Sequence, residues 1–238
     1  MNLLELFIRT IKSLADNQAE AIAITIINDK ALVSKIMNLL NPKEVIKLFR
    51  TDFGRSMNFL TLLELLIPYI NNELAEYLMK DYIRFAFKML KDNELREFFR
   101  TLIYGPLARL NITTLINISK EIANLPCTLE GLLLKIDYLI MLTSTYPPRE
   151  FLNNELVDAI TLILSNICKD SLILVNDVDL AEIIYQGMNT ILNNLNSICK
   201  ELSNWSPCNS IIGSLDKLIN KTYTSLSKLI LKRLNSQS

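Results

Sequence analysis

Histidine is absent from these 238 residues, and that absence limits the chemistry the chain can attempt. The commonest general base, the commonest nitrogen ligand for metals and the usual pH switch are all missing. Ser-His-Asp and Cys-His nucleophile systems therefore cannot be assembled within the chain. Four cysteines remain, Cys127, Cys168, Cys199 and Cys208, but no two stand at the C-x-x-C spacing of a zinc site. They are expected to be free thiols used as small core residues. The nearest alternative is a bridge from Cys199 to Cys208, because the loop around Trp205 would fold one back toward the other; a reducing cytosol disfavours it.

Carboxylates are the next candidates. Glu64 sits in the run LLELLI, and its helical neighbours Leu60, Ile67 and Pro68 are apolar, with only Thr61 polar. Fully buried Glu is rare, so Glu64 is expected to reach solvent at the rim of the apolar face. Asp137, beside Lys135 in LLLKIDYL, carries the same expectation. No D-x-x-D pair occurs to form a diphosphate site, and the E-x-x-H element of a helical di-metal site is impossible without histidine. Neither G-x-G-x-x-G nor G-x-x-x-x-G-K-[ST] occurs, which removes the usual phosphate loops. The expectation is a protein that is not an enzyme, with no catalytic residue, no metal and no cofactor.

Residues suited to binding are easier to find. Arg96 and Arg100 stand four apart beside Phe98 and Phe99. Arginine interleaved with aromatics can stack on bases, although the two phenylalanines are more simply read as core contacts. In the last helical segment Lys217, Lys221, Lys228 and Lys232 fall within about 60° of one another at helical spacing. Leu215, Ile219, Leu226 and Ile230 lie roughly opposite. That stripe suits a helix docked on a domain with its lysines in water better than a membrane-surface helix, whose lysines would flank the apolar face. Trp205 is the only tryptophan and stands in a polar loop before Pro207. It is either an exposed interface anchor or a plug between the last two helices.

The elements that must hold these residues read as helices throughout. Half the residues are hydrophobic, while Gly numbers 5 and Pro 7; a β-rich chain of this size would need more turn-formers. In the segment 73–91, Leu74, Leu78, Tyr82, Phe85 and Met89 share a face that Met79, Ile83, Ala86 and Leu90 widen. An arc covering about half the circumference exceeds what a one-sided helix needs, so this segment is placed at the centre of the fold. Helices are expected at 2–14, in the apolar run after Glu20, across ALVSKIMNLL, and from Asn41-Pro42, a good cap and first position. Gly54 is expected to cap that last helix C-terminally, and Pro68 to end the following one. Further helices are expected at about 107–124, 129–142, 149–167, 177–202 and 209–234, with 169–176 as a connector whose SLILV is the only strand-like run.

Ten to twelve helices on short connections predict an all-α chain, a multi-helix globular bundle of antiparallel pairs or a short HEAT-like α-solenoid. Asn-Asn-Glu-Leu occurs at 71–74 and 153–156, with Asp-Asn-Glu-Leu at 92–95. The third copy breaks any repeat period, and each reads as an ordinary helix start. No Gly-, Ser- or Pro-rich linker divides the chain, so one domain, 1–238, is expected.

Charge balances at 25 basic and 25 acidic side chains, which argues against a generally basic nucleic-acid binder. Glu5, Arg9 and Lys12 break any signal-peptide core, and no uncharged run reaches the ~18 residues of a membrane span. A cytoplasmic location is expected. The leading functional expectation is a helical scaffold or adaptor that binds another macromolecule, a protein partner or a second copy of itself. Two alternatives stay open. One is a nucleic-acid-associated subunit using the basic last helix and the Arg96/Arg100 region. The other is a small-ligand binder or enzyme with a pocket between helices, for which a cavity holding Glu64 would argue.

Overall fold

The computed structural model describes residues 16–174, 177–202 and 205–235. Within them the chain is all-α, with eleven α-helices, three short 3-10 turns and no strand. The expected helix at 2–14 lies outside the described residues. The chain divides into two compact units, 1–118 and 119–238. The division falls inside a helix, Ile112–Ala123, where the composition of a linker would not mark it.

Unit 1 holds α1 (Asp16–Asn28), α2 (Lys30–Leu39), α3 (Pro42–Thr51), α4 (Phe53–Leu66), α5 (Asn72–Met89), α6 (Asp92–Tyr104) and the start of α7 (Ile112–Ala123). Asn and Asp punctuate it for a physical reason: each offers a side-chain oxygen to N–H groups that have no intrahelical acceptor. Asp29 accepts from the N–H groups of Ala31 and Leu32 at 3.0 and 3.1 Å. Asn41 accepts from Lys43 at 3.1 Å with Pro42 at the first helical position. Asn71 accepts from Glu73 at 2.7 Å, and in unit 2 Asn153 accepts from Glu155 at 2.9 Å. The repeated Asn-Asn-Glu-Leu is thus a capping motif.

Several local expectations are corrected. Gly54 does not cap α3. Asp52 ends α3 with its N–H on the Leu48 carbonyl, and its side chain caps α4 by accepting from the Arg55 N–H. Pro68 does end α4, in a 3-10 turn at Ile67–Tyr69. The helix expected at 107–124 is a 3-10 turn, Pro106–Arg109, followed by α7, because Asn111 accepts from the Thr114 N–H at 3.0 Å and restarts the helix. α1 buries Ala23 and Ile26 but leaves Ile24 at 42% exposure, so its apolar run is covered on one side only.

The core of unit 1 forms where α3 packs on α4 and α5, and α5 packs on α6. Phe49, Tyr82, Phe98 and Phe99 are buried and meet at ring-centroid distances of 5.3 to 6.2 Å. Two buried hydrogen bonds pin the helices: Ser56 Oγ donates to the Val45 carbonyl at 2.9 Å and Tyr82 Oη to the Leu40 carbonyl at 2.8 Å. On α5 the buried side chains are Ala75, Leu78, Met79, Tyr82, Ile83 and Ala86, with Asp81 at the edge. Leu74, Phe85 and Met89 are only half-buried. The covered face is therefore rotated from the expected one, and part of the apolar arc is left over.

Unit 2 is built around α8 (Leu129–Thr145), which is buried on nearly every side from Gly131 to Thr143. It packs on α9 (Asn154–Leu174) and α10 (Val178–Glu201), and α10 pairs with α11 (Pro207–Asn235). The region expected as a strand-like connector is helical through Leu174; a 3-10 turn, Pro148–Leu152, and the Asn153 cap delay the start of α9. Ile136 of α8 lies against Gly187 of α10, and further along Asn194 Nδ2 donates to Thr143 Oγ1 at 3.0 Å. The two contacts advance together, so α8 and α10 run in the same direction. Tyr138 and Ser119 hydroxyls pair at 2.8 Å in the interior, and burial pushes the Tyr138 phenol well above its ordinary range.

Candidate functional site

The leftover apolar arc of α5 lines a half-open groove of about 340 Å³ in unit 1. That is near the lower end of small-ligand pockets. Met37, Pro42, Leu74, Leu78 and Phe85 supply its apolar surface, and Asn38, Asn41, Lys43, Tyr77 and Asp81 its polar edge. Asp81 is 7% exposed. It forms an ion pair with Arg84, one turn along the same helix, whose side chain is 67% exposed. A carboxylate in so shielded a position is held in place and little hydrated, which favours a cation brought to it. Tyr77 stands at the rim with 60% of its surface exposed. Sequence reading missed this site because it placed Leu74 and Phe85 in the core. The signal was present in an arc wider than two neighbouring helices can cover.

On the far side of α5, Glu76 accepts from Lys80 Nζ and from Asn117 Nδ2, both at 2.7 Å. The Lys80 hydrogen bond is the main reason its carboxyl is held below the usual range, against the opposing cost of burial.

Each expected site residue has a definite place. Arg96 is half-buried, and its Nε is shielded from solvent with no hydrogen-bond partner. Arg100 is exposed. Phe98 and Phe99 are core residues at 0% and 3% exposure, which removes the aromatic half of a base-stacking platform. Glu64 is half-buried and pairs with Arg109 at 3.4 Å, so it does reach the rim; it is not part of the groove. Its carboxylate passes close to Gly105, where an added Cβ would lie 3.2 Å from Oε2 and 2.9 Å from the Thr101 carbonyl. Lys135 does not reach solvent. It is 1% exposed, and its Nζ donates to the Leu125 carbonyl at 3.1 Å, just past the end of α7 where carbonyls lack intrahelical donors and the helix dipole is negative.

Trp205 is 8% exposed and meets the Phe151 ring edge-on at 6.3 Å. It plugs the α10–α11 connection and is not a surface anchor. The thiol expectation is overturned beside it: Cys199 and Cys208 form a disulfide with a Cα–Cα distance of 5.8 Å. Pro207 starts α11 directly after a short loop, so the chain turns back with the two cysteines adjacent. Cys127, expected in a core, is exposed. Loss of the disulfide, by reductant or by Cys199→Ser with Cys208→Ser, is expected to lower stability by about 2–3 kcal/mol, as loop closure predicts for so short a loop. That corresponds to a melting temperature roughly 5–10 °C lower. Trp205 fluorescence during heating reads it out, and an unchanged transition would show that the bridge adds nothing.

All four stripe lysines, Lys217, Lys221, Lys228 and Lys232, are exposed. Opposite them Ile211, Leu215, Leu218, Ile219 and Thr222 are buried, but the expected core positions further along are not. Leu226 is half-buried and Ile230 is 41% exposed. No protein-family model matches the chain, and no curated protein or solved structure matches it either. Among the described residues no group of three or more Cys, Asp or Glu side chains is placed to hold a metal ion, and no helix is long and apolar enough to cross a membrane.

Proposed function

We propose that this chain is a non-enzymatic helical adaptor that binds another protein, and that the groove beside α5 receives a segment of that protein carrying a basic residue next to apolar ones. The observation that supports this is the pairing of Asp81, a shielded carboxylate, with buried Leu78 and the half-covered Leu74 and Phe85 in one open groove. Apolar anchors provide most of such an affinity and a desolvated charge pair sets the register. An open groove also suits a chain segment better than a small molecule, which pockets usually enclose.

The nucleic-acid reading has less support. The stripe lysines belong to a unit whose residues 121–216 carry 12 acidic and 4 basic side chains, a poor surround for phosphates. The pocket-enzyme reading relied on a cavity around Glu64, which instead pairs with Arg109.

Selection of a displayed random-peptide library on the full chain tests the proposal. Enriched peptides should place Arg or Lys beside large apolar residues. Asp81→Asn, which keeps the shape and removes the charge, should weaken the selected peptides about tenfold or more, as loss of a charge-assisted hydrogen bond predicts. Tyr104→Ala, at an exposed position that is not among the groove lining, should leave them unaffected. Peptides without a basic residue, or indifferent to Asp81→Asn, would show that the groove has been misread.

A further inference from the structure

The distal half of α11 presents a surface that the groove proposal does not use. Tyr223, Ile230, Leu231 and Leu234 are 55%, 41%, 60% and 59% exposed. Two contacts set the register of α11 against α10. The disulfide Cys199–Cys208 closes one end, and the Tyr185 and Tyr223 rings meet at 5.7 Å further down. The helices are therefore antiparallel, and Asp179 is level with Lys228. α10 begins at Val178, so the last turn of α11 runs beyond it, which is why Ile230, Leu231 and Leu234 are uncovered; Tyr223 is exposed although its ring meets Tyr185.

The lateral order of residues follows from about 100° of turn per residue. The Tyr185 contact places Tyr223 on the α10 side of α11. Ile230 and Leu234 fall within about 20° of Tyr223, and Leu231 is about 80° further toward solvent. Lys228 and Lys232 come next. On α10, exposed Glu182 and Asp179 occupy the solvent side next to α11. Across the open face of this helical hairpin the order is thus acidic, apolar, basic. The charge is also segregated along the chain: after Asp216 there are Lys217, Lys221, Lys228, Lys232 and Arg233 and no acidic residue.

We infer that this face binds a second copy of the chain, through a two-fold axis lying along the hairpin between the copies. Such an axis turns the face over left for right without shifting its height. The apolar stripes then meet each other, and the acids of each copy meet the lysines of the other. Asp179 of one copy comes level with Lys228 of its mate. A patch complementary to itself is what a two-fold interface requires. An acidic partner protein or an anionic lipid surface would use the lysines but would be repelled by Asp179 and Glu182.

The test is the mass of the full chain in solution by sedimentation equilibrium at up to about 100 µM, where even weak dimers are populated. The wild type should be a dimer that high salt weakens. Leu231→Glu with Leu234→Glu should weaken it about a hundredfold, the effect of removing a central apolar anchor, with the helical circular dichroism unchanged because both residues are exposed. Lys228→Glu with Lys232→Glu should also dissociate it, as should Asp179→Lys with Glu182→Lys. An equimolar mixture of these two charge-reversed proteins should recover a heterodimer, which a role in folding alone could not produce. A wild type monomeric at that concentration would overturn the inference, as would a dimer indifferent to Leu231→Glu with Leu234→Glu. So would a mixture that stays monomeric, or a monomeric wild type that binds phosphatidylserine vesicles through the same lysines.

Discussion

Phe98→Ala is expected to cost unit 1 about 3–5 kcal/mol, the range for deleting a fully buried aromatic ring. Phe98 is wholly buried and stands at the junction of three helices. Its ring meets Phe49 of α3 edge-on at 5.3 Å, Tyr82 of α5 at 6.2 Å and Phe99 of its own helix at 6.2 Å. Each of those contacts contributes beyond area burial because the ring edges and faces are matched. The neighbours are themselves large and pinned, Tyr82 by its hydrogen bond to the Leu40 carbonyl, so the cavity has little room to collapse. Against a total stability of about 5–15 kcal/mol the loss is large. Urea unfolding followed by circular dichroism should show a lower midpoint with little change in slope. Phe98→Leu, which refills part of the volume, should recover a substantial share. A loss for Phe98→Ala below about 1 kcal/mol, the size of an ordinary surface change, would mean that the aromatic cluster is not the core of this unit.

The second large effect is at Gly187. In an exposed helix, replacing Gly with Ala gains about 1 kcal/mol. Here the sign should reverse. A Cβ on Gly187 would lie 2.4 Å from Ile136 Cγ2, and Ile136 is buried on α8. Its Cγ2 branches directly from Cβ, and a β-branched side chain in a helix has one strongly preferred χ1, so it cannot swing aside. Gly187→Leu should cost about 3 kcal/mol, at the upper end of overpacking, and Gly187→Ala should be destabilising too. Ile136→Ala alone leaves a cavity and costs about 2–5 kcal/mol. The double variant Gly187→Ala with Ile136→Ala should be more stable than the sum of its parts, by about 1 kcal/mol or more, because the new methyl fills the vacated space. Simple additivity, read from thermal unfolding, would show that the helices do not approach so closely at this point.

Much of the fold was legible because the governing interactions are local. An Asn or Asp oxygen reaches an N–H two or three residues on, so Asn41, Asn71 and Asp177 mark helix starts wherever they occur. Pro68 and Pro207 act on their own turn. Even the disulfide was within reach of a loop-length argument, since Cys199 and Cys208 are nine residues apart; the compartment argument pointed the other way. Gly54 shows where local reading stops. Gly and Asp52 both suit a helix end, and the choice depended on Asp52 serving two helices at once.

The candidate sites were legible only in part, because burial depends on which helix arrives opposite. By itself the sequence determined an all-α chain, the capping residues, the Lys stripe on α11 and the over-wide apolar arc of α5, all consequences of side-chain chemistry and a helical period of about 3.6 residues. The tertiary structure decided which part of each arc was covered. Tyr82 is covered, with Phe98 of α6 against its ring, while Leu74 and Phe85 are left half-covered, and this leaves the groove. The Leu125 carbonyl just past the end of α7 draws Lys135 inside, and Phe151 closes over Trp205. α10 begins only at Val178 and so does not run alongside Ile230 and Leu234. A periodic pattern states what a helix can bury, whereas the lengths and positions of its neighbours state what it does bury, and those are set by contacts distant in the chain.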